Sequence, residues 1–423
     1  MFALFGQAND QQTGTKLVLS CAADSTENVF VKVTIPGVGY TSTHNVAPSE
    51  TIDITLPPGA AYFPNTPGKH SNTIIVTSTN MITVHAVVDI GGDLREGFTI
   101  SPSSVLGTMY YAVTASQDGF ISRSAISVSA LNERTVLRYG TESGQRETIP
   151  LDPYESFLIL SDNDVTGWLF TADQPFSILS GQIPSSNPSS GSTSELGYVI
   201  EQLPPVCSWG TGTFVLLPFQ ASIDSHGYQY RIVAANADTW VKSSDGTEFN
   251  LEEAGDYADG QADANVLITL TSDQPVMVVQ YRKDVEFATD SEMLIIPHFA
   301  LYPSGPTTVS ALPSDNDYES YISIVIRCLY INGLKYNGND IQLGDAWNII
   351  VAEQEGQLCI VQSPSLLDNV PTHSITHIDP EIRYLTILQT DRNQVSDGGY
   401  GYIMGLDYHG LSCGKGMKHF WFP

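Results

Sequence analysis

The chain repeats itself, and this repetition constrains its fold more than any other feature of the sequence. A Gly-Thr pair followed by an apolar run opens three segments, and a fourth run of similar pattern lacks the Gly-Thr pair. The four runs are Gly14–Leu19, Gly107–Tyr111, Gly212–Leu216 and Tyr321–Ile326. Self-similarity at a regular spacing indicates tandem copies of one structural module.

Each opening run is followed by two apolar segments that flank a short polar loop. In the second and third copies this loop reads Thr171-Ala172-Asp173-Gln174-Pro175 and Thr271-Ser272-Asp273-Gln274-Pro275. Asp favours turns through local hydrogen bonds, and Pro is tolerated there because it has no N–H to donate. We therefore predict four equivalent β-hairpins, over residues 73–84, 165–179, 266–279 and 347–361.

Alternation of apolar and polar residues favours strands over helices along most of the chain. Ile52-Asp53-Ile54-Thr55-Leu56 alternates cleanly, and a period of two gives a strand one buried and one wet face. The sequence predicts an all-β fold of tandem repeated β-modules that resemble β-sandwiches. A propeller-like ring of sheets is the alternative, because radial repetition also hides strand edges. The predicted modules are 1–106, 107–206, 207–317 and 318–423, the last with C-terminal closing strands.

Charge narrows the classes of partner. The 423 residues include 46 Asp and Glu but only 18 Lys and Arg, which gives a formal net charge of −28. A surface this acidic repels phosphate backbones and anionic headgroups, so we expect no nucleic-acid partner. No run of 18 apolar residues is present, so no membrane insertion is expected. Met1–Gly6 lack the basic region of a signal peptide, and we expect that such a peptide has been removed.

A segment in the middle of the chain resembles a signature of the IgG Fc-binding protein N-terminal domain family. It reads Ile200-Glu201-Gln202-Leu203-Pro204-Pro205-Val206-Cys207-Ser208-Trp209-Gly210. Pro275–Tyr281, Met293–Pro297 and Tyr318–Ile322 fall where that family has similar segments. The resemblance implies a secreted extracellular protein of the mucus-associated, adhesive or matrix-like kind, without enzymatic activity. Family members often carry a cysteine just before this segment, but Leu196-Gly197-Tyr198 holds none, so no family disulfide is carried over there.

The five cysteines are Cys21, Cys207, Cys328, Cys359 and Cys413. None forms a C-x-x-C pair, which disfavours a zinc site. The extracellular setting that the resemblance implies favours a disulfide between Cys328 and Cys359 over two buried free thiols. Such a bond would contribute about 3 kcal/mol by the chain-entropy account. The pairing of the other three cysteines is left open.

One motif suggests catalysis, and its context argues against it. Gly410-Leu411-Ser412-Cys413-Gly414 matches G-x-S-x-G, but a nucleophile elbow needs a strand, a sharp turn and a following helix. Glycine interrupts the residues that follow, close to the end of the sequence. We therefore predict no catalytic residue and no enzyme.

Two groups of residues have the chemistry of metal ligands. His373, His377 and Asp379 are closely spaced, but Pro371 and Pro380 flank them, so we interpret the histidines as surface residues of a loop or short strand. Three acidic turns offer oxygen ligands for calcium: Asp162–Asp164, Asp256–Asp259 and Asp315–Asp317. Asx turns explain such sequences equally simply. We keep Asp315 and Asp317 as the calcium candidates and predict no other cofactor.

Two functional hypotheses follow. The first is a secreted structural or adhesive domain that acts through protein–protein or protein–glycan contacts and through assembly. The second is a dedicated recognition module, lectin-like or immunoglobulin Fc-binding, with a discrete pocket. The expected partners are extracellular proteins, glycans or further copies of the chain. Self-association should strengthen with calcium and with moderate salt, because salt screens the repulsion between acidic copies.

Overall fold

The structure is a computed structural model of the chain. It describes residues 14–21, 26–57, 66–91, 94–114, 122–141, 144–184, 199–218, 227–264, 266–282, 292–310, 318–344, 347–351, 358–364, 366, 372–392, 399–404, 406–407 and 413. The fold is nearly all β, which confirms the predicted fold class of sandwich-like β-modules. Short 3₁₀ helices are found at Pro36–Val38, Ser103–Val105, Val206–Ser208, Phe299–Leu301 and Cys328–Gly333. Among these described residues, no helix has the length and apolarity that a membrane span requires.

The first unit has eight strands: β1 (Gly14–Cys21), β2 (Val29–Ile35), β3 (Tyr40–Val46), β4 (Thr51–Thr55), β5 (Gly68–His70), β6 (Ile75–Ser78), β7 (Ile82–Gly91) and β8 (Leu94–Thr99). One sheet has the order β4-β1-β7-β8 and the other β3-β2-β6, all antiparallel. Strand β2 alternates between buried and exposed residues, so its sheet has one face toward the core and one toward solvent.

The second unit repeats this order. Its strands are β9 (Met109–Tyr111), β10 (Ser122–Ala130), β11 (Thr135–Gly140), β12 (Glu147–Leu151), β13 (Ser156–Ser161), β14 (Leu169–Ala172), β15 (Phe176–Pro184) and β16 (Val199–Gln202). One sheet is β16-β15-β10-β13, extended at its edge by β5 of the first unit, and the other is β12-β11-β14-β9. The added strand β5 joins the two units through backbone hydrogen bonds.

The third unit has the same order with one fusion. Its strands are β17 (Gly210–Val215), β18 (Tyr228–Ala234), β19 (Thr239–Ser243), β20 (Glu248–Leu251), β21 (Tyr257–Ala262), β22 (Thr269–Arg282) and β23 (Met293–Ile296). The long strand β22 belongs to both sheets. Its first half pairs with β17 and β19, and its second half pairs with β18 and β23.

The fourth unit is the most divergent. Its strands are β24 (Thr307–Ser310), β25 (Tyr318–Arg327), β26 (Leu334–Tyr336), β27 (Asn339–Asp340), β28 (Asn348–Val351), β29 (Leu358–Gln362), β30 (Thr372–His377), β31 (Tyr384–Arg392) and β32 (Gly399–Met404). The sheets are β28-β29-β25-β31-β32 and β24-β30-β26-β27. Strand β28 lengthens one sheet at the edge that β5 of the first unit occupies in the second unit.

The predicted hairpins at 73–84 and 165–179 are wrong. Strands β6 and β7 lie in different sheets, and so do β14 and β15, so each segment crosses from one sheet of the sandwich to the other. At 266–279 the crossing is made within the continuous strand β22. A polar loop between two apolar runs has the same sequence signature whether the flanking strands pair or face each other across a core.

The fourth predicted hairpin, 347–361, does form, since β28 pairs with β29. It is not equivalent to the other three segments, however, because both of its strands lie in one sheet. The crossing of the fourth unit runs instead from β30 to β31. The apolar pattern of 347–361 therefore marked an inserted strand rather than the repeated feature.

The crossings share a hydrogen bond that explains their sequence. Asp173 Oδ1 accepts the N–H of Val136 at 2.8 Å, and Asp273 Oδ1 accepts the N–H of Trp240 at 2.8 Å. In the first unit Thr79 Oγ1 accepts the N–H of Phe30 at 3.1 Å. Each acceptor thus holds the second residue of β2, β11 or β19. The loop residues are repeated because they fix this neighbouring strand.

The units close into a ring, which was the alternative considered from the sequence. One sheet of each unit, here called the inner sheet, is buried on both faces. In β1, Leu17 and Leu19 lie in the first core whereas Val18 lies in the fourth. In β10, Ala125 packs into the first core and Ile126 into the second. The inner sheet of the third unit bridges the second and third cores, and that of the fourth unit bridges the third and fourth cores, so the four cores form a closed cycle.

The last strand of each unit lies at the centre of this ring. Strand β8 contacts β16 and β32, and β23 contacts the same two strands. Thr99 Oγ1 donates to the carbonyl oxygen of Ile403 at 2.7 Å, which joins the first unit to the fourth. The N–H of Ser101 donates to Gln202 Oε1 at 2.7 Å, which joins the first unit to the second. The four remaining sheets, here called the outer sheets, are β3-β2-β6, β12-β11-β14-β9, β20-β19-β22-β17 and β27-β26-β30-β24.

Candidate functional site

A cavity of about 70 Å³ lies where the central strands end. Its lining is mainly apolar, with Met277, Ile295 and Leu301 among the residues that form it. Glu201 and His298 add polar groups. A cavity needs roughly 10–15 Å³ to hold a single water, whereas pockets for drug-sized ligands span roughly 300–1,000 Å³. The cavity therefore has room for a few waters or one small chemical group.

Glu201 is the most perturbed acid of this cavity. It is 6% exposed, and its Oε2 accepts the N–H of Gln202 at 3.2 Å. Burial raises the pKa of Glu201 well above its usual value, and the charge of Glu292 adds to the rise. Glu292 is itself buried, and Gly401 lies against it: a Cβ at position 401 would fall 1.9 Å from Glu292 Oε1. Glycine at 401 is thus required by this close approach.

The cavity also contains a serine and a histidine, but they do not form a nucleophilic pair. Ser208 Oγ donates to the carbonyl oxygen of Pro205 at 2.8 Å. Burial lowers the pKa of His298, opposed by a hydrogen bond with the backbone of Ser208. The imidazole therefore interacts with the main chain of Ser208, and the hydroxyl is engaged elsewhere.

Glu201→Gln should stabilise the protein at neutral pH. A buried carboxyl with a raised pKa resists ionisation in the folded state, whereas in the unfolded chain it ionises near pH ~4.3. Folding stability therefore falls as pH rises above that value, and glutamine removes this loss. Equilibrium unfolding of both proteins from pH 4 to pH 8 should show a gap that opens with pH. Glu248→Gln, at an exposed ion pair, is the control, and a pH-independent loss of stability in Glu201→Gln would contradict the expectation.

A second polar centre ties the second and third units together around Arg231. This residue is 2% exposed on β18. Its Nε and Nη2 donate to the two carboxylate oxygens of Asp259 at 2.7 and 2.8 Å. Its Nη1 donates to Asp164 Oδ2 at 2.8 Å, to Thr166 Oγ1 at 2.7 Å and to the carbonyl oxygen of Thr114 at 2.6 Å. A bidentate pair of this kind fixes geometry as well as charge.

The electrostatics of this centre favour the ionised forms of Asp164 and Arg231. Burial alone would raise the pKa of Asp164, but hydrogen bonds from Thr166 and the charge of Arg231 outweigh it and lower the pKa. Burial opposes the charge of Arg231, yet the hydrogen bonds to Asp259 and nearby negative charge raise its pKa. The ring of Tyr257 lies 4.3 Å from the guanidinium carbon, in the range of a cation–π contact.

Two of the acidic turns considered for calcium are therefore occupied by other groups. Asp164 and Asp259 bind Arg231, Asp162 pairs with Arg123 at 2.7 Å, and Asp256 Oδ2 accepts the N–H of Glu253 at 2.8 Å. Within the part of the chain that the structure describes, no cluster of three or more His, Cys, Asp or Glu is arranged to hold a metal ion. Asp315 and Asp317, the calcium candidates, lie outside the described residues, so calcium binding there stays a prediction.

The histidine pair serves the structure of the fourth unit. His373 is buried on β30, and its Nδ1 is 2.7 Å from the hydroxyl of Tyr336. Both ring nitrogens of His377 contact backbone carbonyls, those of Asp379 at 3.0 Å and Tyr330 at 2.9 Å. The interpretation of both as surface residues is thus wrong for His373. The imidazole of His377 has no nitrogen left for a metal in this arrangement.

Two disulfides are present among the residues that the structure describes. Cys328 and Cys359 are joined with a Cα–Cα distance of 5.0 Å. Cys207 and Cys413, whose pairing the sequence left open, are joined with a Cα–Cα distance of 5.9 Å. The second bond spans 206 positions and ties residue 413, beyond the last strand of the fourth unit, to the start of the third. Ser412, the centre of the G-x-S-x-G motif, lies outside the described residues.

Aromatic side chains stand exposed on two outer sheets. Trp240 on β19 is 51% exposed, and Phe30 on β2 is 61% exposed. An open groove of about 290 Å³ adjoins Trp240 and is lined also by Lys242, Glu248 and Asp273. Large apolar side chains left in solvent on a regular sheet are candidates for contact with a partner.

These observations place the protein in the class of disulfide-bonded all-β proteins, whose bonds persist in oxidising compartments. The chain belongs to the IgGFc-binding protein family, since the sequence profile described as IgGFc binding protein matches residues 96–377. Membership in this family indicates an extracellular, protein-binding type of protein.

Two comparisons with individual proteins add detail. The chain is 23% identical over 322 residues to the IgGFc-binding protein of Homo sapiens, which covers 72% of this chain and 6% of that protein. The chain thus spans about 6% of the length of this relative. A crystal structure of the FMN-binding β-glucuronidase from Facaelibacterium prausnitzii L2-6 matches at 9% identity over 66% of this chain and 39% of that chain. Its TM-score of 0.13 carries no argument about fold or activity.

Sequence reasoning missed Arg231, Glu201 and Trp240 as site residues. One signal in the sequence could have identified Arg231: a charged residue inside an otherwise apolar strand must find a partner. Glu201 was quoted only as part of the family segment. Trp240 lies in the alternating stretch Thr239-Trp240-Val241-Lys242-Ser243. This alternation places Trp240 and Lys242 on the same, solvent-facing side of the strand. The partners of Arg231 in the second unit, Thr114, Asp164 and Thr166, come from a distant part of the chain.

Proposed function

We propose that this chain is a secreted adhesive domain that binds extracellular partners through the solvent-facing sides of its outer sheets. One observation carries the proposal. Ring closure buries both faces of the inner sheets along their central strands, yet Trp240 and Phe30 remain about half exposed or more on two outer sheets. A solvent-facing tryptophan is the residue type most enriched among the energetic anchors of interfaces.

The net charge of the chain favours some classes of partner over others. A net charge of −28 favours neutral or basic surfaces and repels polyanions. The name of the family and that of the human relative make immunoglobulin Fc the first partner to test. No step in this function requires catalysis, since display of a fixed surface is sufficient.

The test is binding of purified IgG Fc to the immobilised chain. Trp240→Ala should weaken binding by roughly thirtyfold, the effect of losing one interface hot spot. Leu329→Ala is the matched control, because Leu329 is 81% exposed and lies on a 3₁₀ helix away from the outer-sheet faces. If the wild-type chain binds neither Fc nor any protein or glycan from its native fluid, the adhesive proposal fails. If Trp240→Ala binds as wild type does, another surface is responsible.

The proposal also covers the module boundaries, the localisation and the self-assembly of the chain. We propose that the four modules divide at 106/107, 206/207 and 317/318, which the recurring strand order supports. We propose secretion into a matrix-like or mucous fluid, supported by the two disulfides. Self-assembly, strengthened by calcium at Asp315 and Asp317 and by moderate salt, remains part of the proposal and is measurable by light scattering with chelator controls.

A further inference from the structure

The surroundings of Trp240 form a repeated arrangement rather than an isolated exposed residue. Trp240 lies opposite Asn250 of β20, and Lys242, two residues further along the same face, lies opposite Glu248 and Thr271. All five side chains are exposed. An aromatic ring, an amide, a hydroxyl and a charged pair therefore share one solvent-facing surface.

The first unit carries the same arrangement at the equivalent strands. Phe30 lies opposite Asn45, and Lys32 lies opposite Thr43 and Thr77. In the second unit the corresponding positions are Val136 and Pro150, so the aromatic ring and the asparagine are absent together. The co-occurrence of ring and amide in two units, and their joint loss in another, is an observation independent of exposure.

The aromatic positions are held in place by the fold. The backbone N–H of Trp240 is bound by Asp273 and that of Phe30 by Thr79. Both residues are the second of their strand. Strand β19 lies between β20 and β22, and β2 lies between β3 and β6. The rings are thus presented on rigid elements, which lowers the entropic cost of binding a ligand.

We propose that the faces around Trp240 and Phe30 each bind a pyranose ring of a neutral glycan. The apolar C–H face of a pyranose fits flat against an indole or phenyl ring, and its hydroxyl groups fit the neighbouring amide and hydroxyl side chains. A site with one aromatic surface and a few well-placed polar groups is typical of small-ligand recognition. This inference rests on the proposed adhesive function and names the chemistry of its partner.

The surroundings of Trp240 fit a small polar ligand such as a sugar better than a broad apolar protein interface. A protein hot spot is surrounded by further contacts that exclude water, whereas Trp240 has only polar residues beside it on its face of the sheet. Charge selects among sugars. Lys242 is paired with Glu248 at 3.2 Å, and Asp273 lines the same groove, so the Trp240 face has no excess positive charge to attract an acidic sugar. At the Phe30 face Thr43 takes the place of the glutamate, but the acidic chain as a whole repels sialylated or sulfated glycans.

The two faces also define a valency. The cores run in the cyclic order first, second, third, fourth, so the first and third units stand across the ring from each other. Two sites on opposite sides can engage separate glycan chains. Weak single-sugar binding would then be multiplied by avidity on a dense glycan surface.

The experiment uses the full chain on immobilised neutral oligosaccharides ending in galactose, N-acetylglucosamine, N-acetylgalactosamine, mannose or fucose, and on sialylated counterparts. Wild type should be retained by at least one neutral series. Trp240→Ala should lose at least about tenfold in apparent affinity, the effect of removing a central aromatic contact. Trp240→Phe should retain part of the binding, and Phe30→Ala/Trp240→Ala should lose nearly all of it. Leu329→Ala and Val136→Ala should bind as wild type does.

The outcomes separate this inference from the proposed function. If no oligosaccharide retains wild type but IgG Fc does, the glycan inference is overturned and the adhesive function stands. If Trp240 is needed for Fc binding and enzymatic removal of the Fc glycan changes nothing, the occupant is protein and the inference is again overturned. Binding to neutral oligosaccharides but not to Fc supports the inference and removes Fc as the partner. Equal retention of wild type and Phe30→Ala/Trp240→Ala places sugar binding elsewhere and overturns the assigned site.

Discussion

Arg231→Met should lower the free energy of unfolding by about 3–5 kcal/mol, the typical cost of removing one partner from a buried ion pair. The guanidinium makes five hydrogen bonds, and the three to Thr114, Asp164 and Thr166 join the third unit to the second. Methionine fills much of the same space but removes the charged donor from Asp164 and from the carbonyl oxygen of Thr114, which keep only their bonds from neutral hydroxyl and backbone groups. Equilibrium unfolding in denaturant, followed by tryptophan fluorescence, measures the loss.

Lys242→Met is the matched control, because the pair Lys242–Glu248 is exposed and should contribute less than about 1 kcal/mol. The pH dependence gives a second check. The pKa of Asp164 is lowered in the folded state, so its stabilising effect is present above the unfolded value near pH ~3.9 and is lost as pH falls through the folded value. The gap between wild type and Arg231→Met should therefore narrow in acid. A small and pH-independent gap would show that Arg231 does not hold the two units together.

Removal of the Cys207–Cys413 disulfide should cost about 5 kcal/mol by the chain-entropy account, more than the ~3 kcal/mol expected for Cys328–Cys359. The reason is loop length, since the bonds span 206 and 31 positions. The variants are Cys207→Ala/Cys413→Ala and Cys328→Ala/Cys359→Ala, compared by denaturant unfolding. The first pair should also lose resistance to proteolysis near residue 413, which the bond holds on the ring.

A reducing agent provides the control for both pairs. On reduction, the free energy of unfolding of wild type should fall to that of a protein lacking both disulfides. Reduction of each double variant should remove only the stabilisation that its remaining disulfide supplies. If the two variants lose equal stability, or if the Cys328–Cys359 variant loses more, loop entropy does not govern these bonds. In that case strain or residual structure in the unfolded chain decides their contribution.

Much of the fold was readable from local pattern. Alternating runs such as Ile52–Leu56 predict strands because the period of two is a property of the strand itself. The repeated Thr-Ser-Asp-Gln-Pro loop correctly marked a repeated feature. Its interpretation as a hairpin failed, because pairing between strands depends on which partners lie alongside them. For β14 and β15 those partners are β11 and β10, and the loop sequence carries no information about that choice.

The candidate sites show the same division between what local sequence predicts and what distant contacts decide. The acidic turns at Asp162–Asp164 and Asp256–Asp259 have the composition of calcium ligands. What decides their role is Arg231, which lies 67 positions from Asp164 along the chain and reaches it only through the packing of two units. The pairing of Cys207 with Cys413 is equally non-local, whereas Cys328 and Cys359 lie within one module and were paired with help from the family resemblance.

The sequence by itself determined the strands, the fourfold repetition, the acidic surface and the family, because each is written in residues that are close in sequence or summed over the chain. Only the tertiary structure decided that the units close into a ring. Closure depends on Val18 and Val87 packing into the core of the fourth unit, a contact between the two ends of the described chain. It also decided that Trp240 and Phe30 face solvent while equally apolar neighbours are buried. A residue's exposure is set by what packs over it, and in this ring those contacts come from other units.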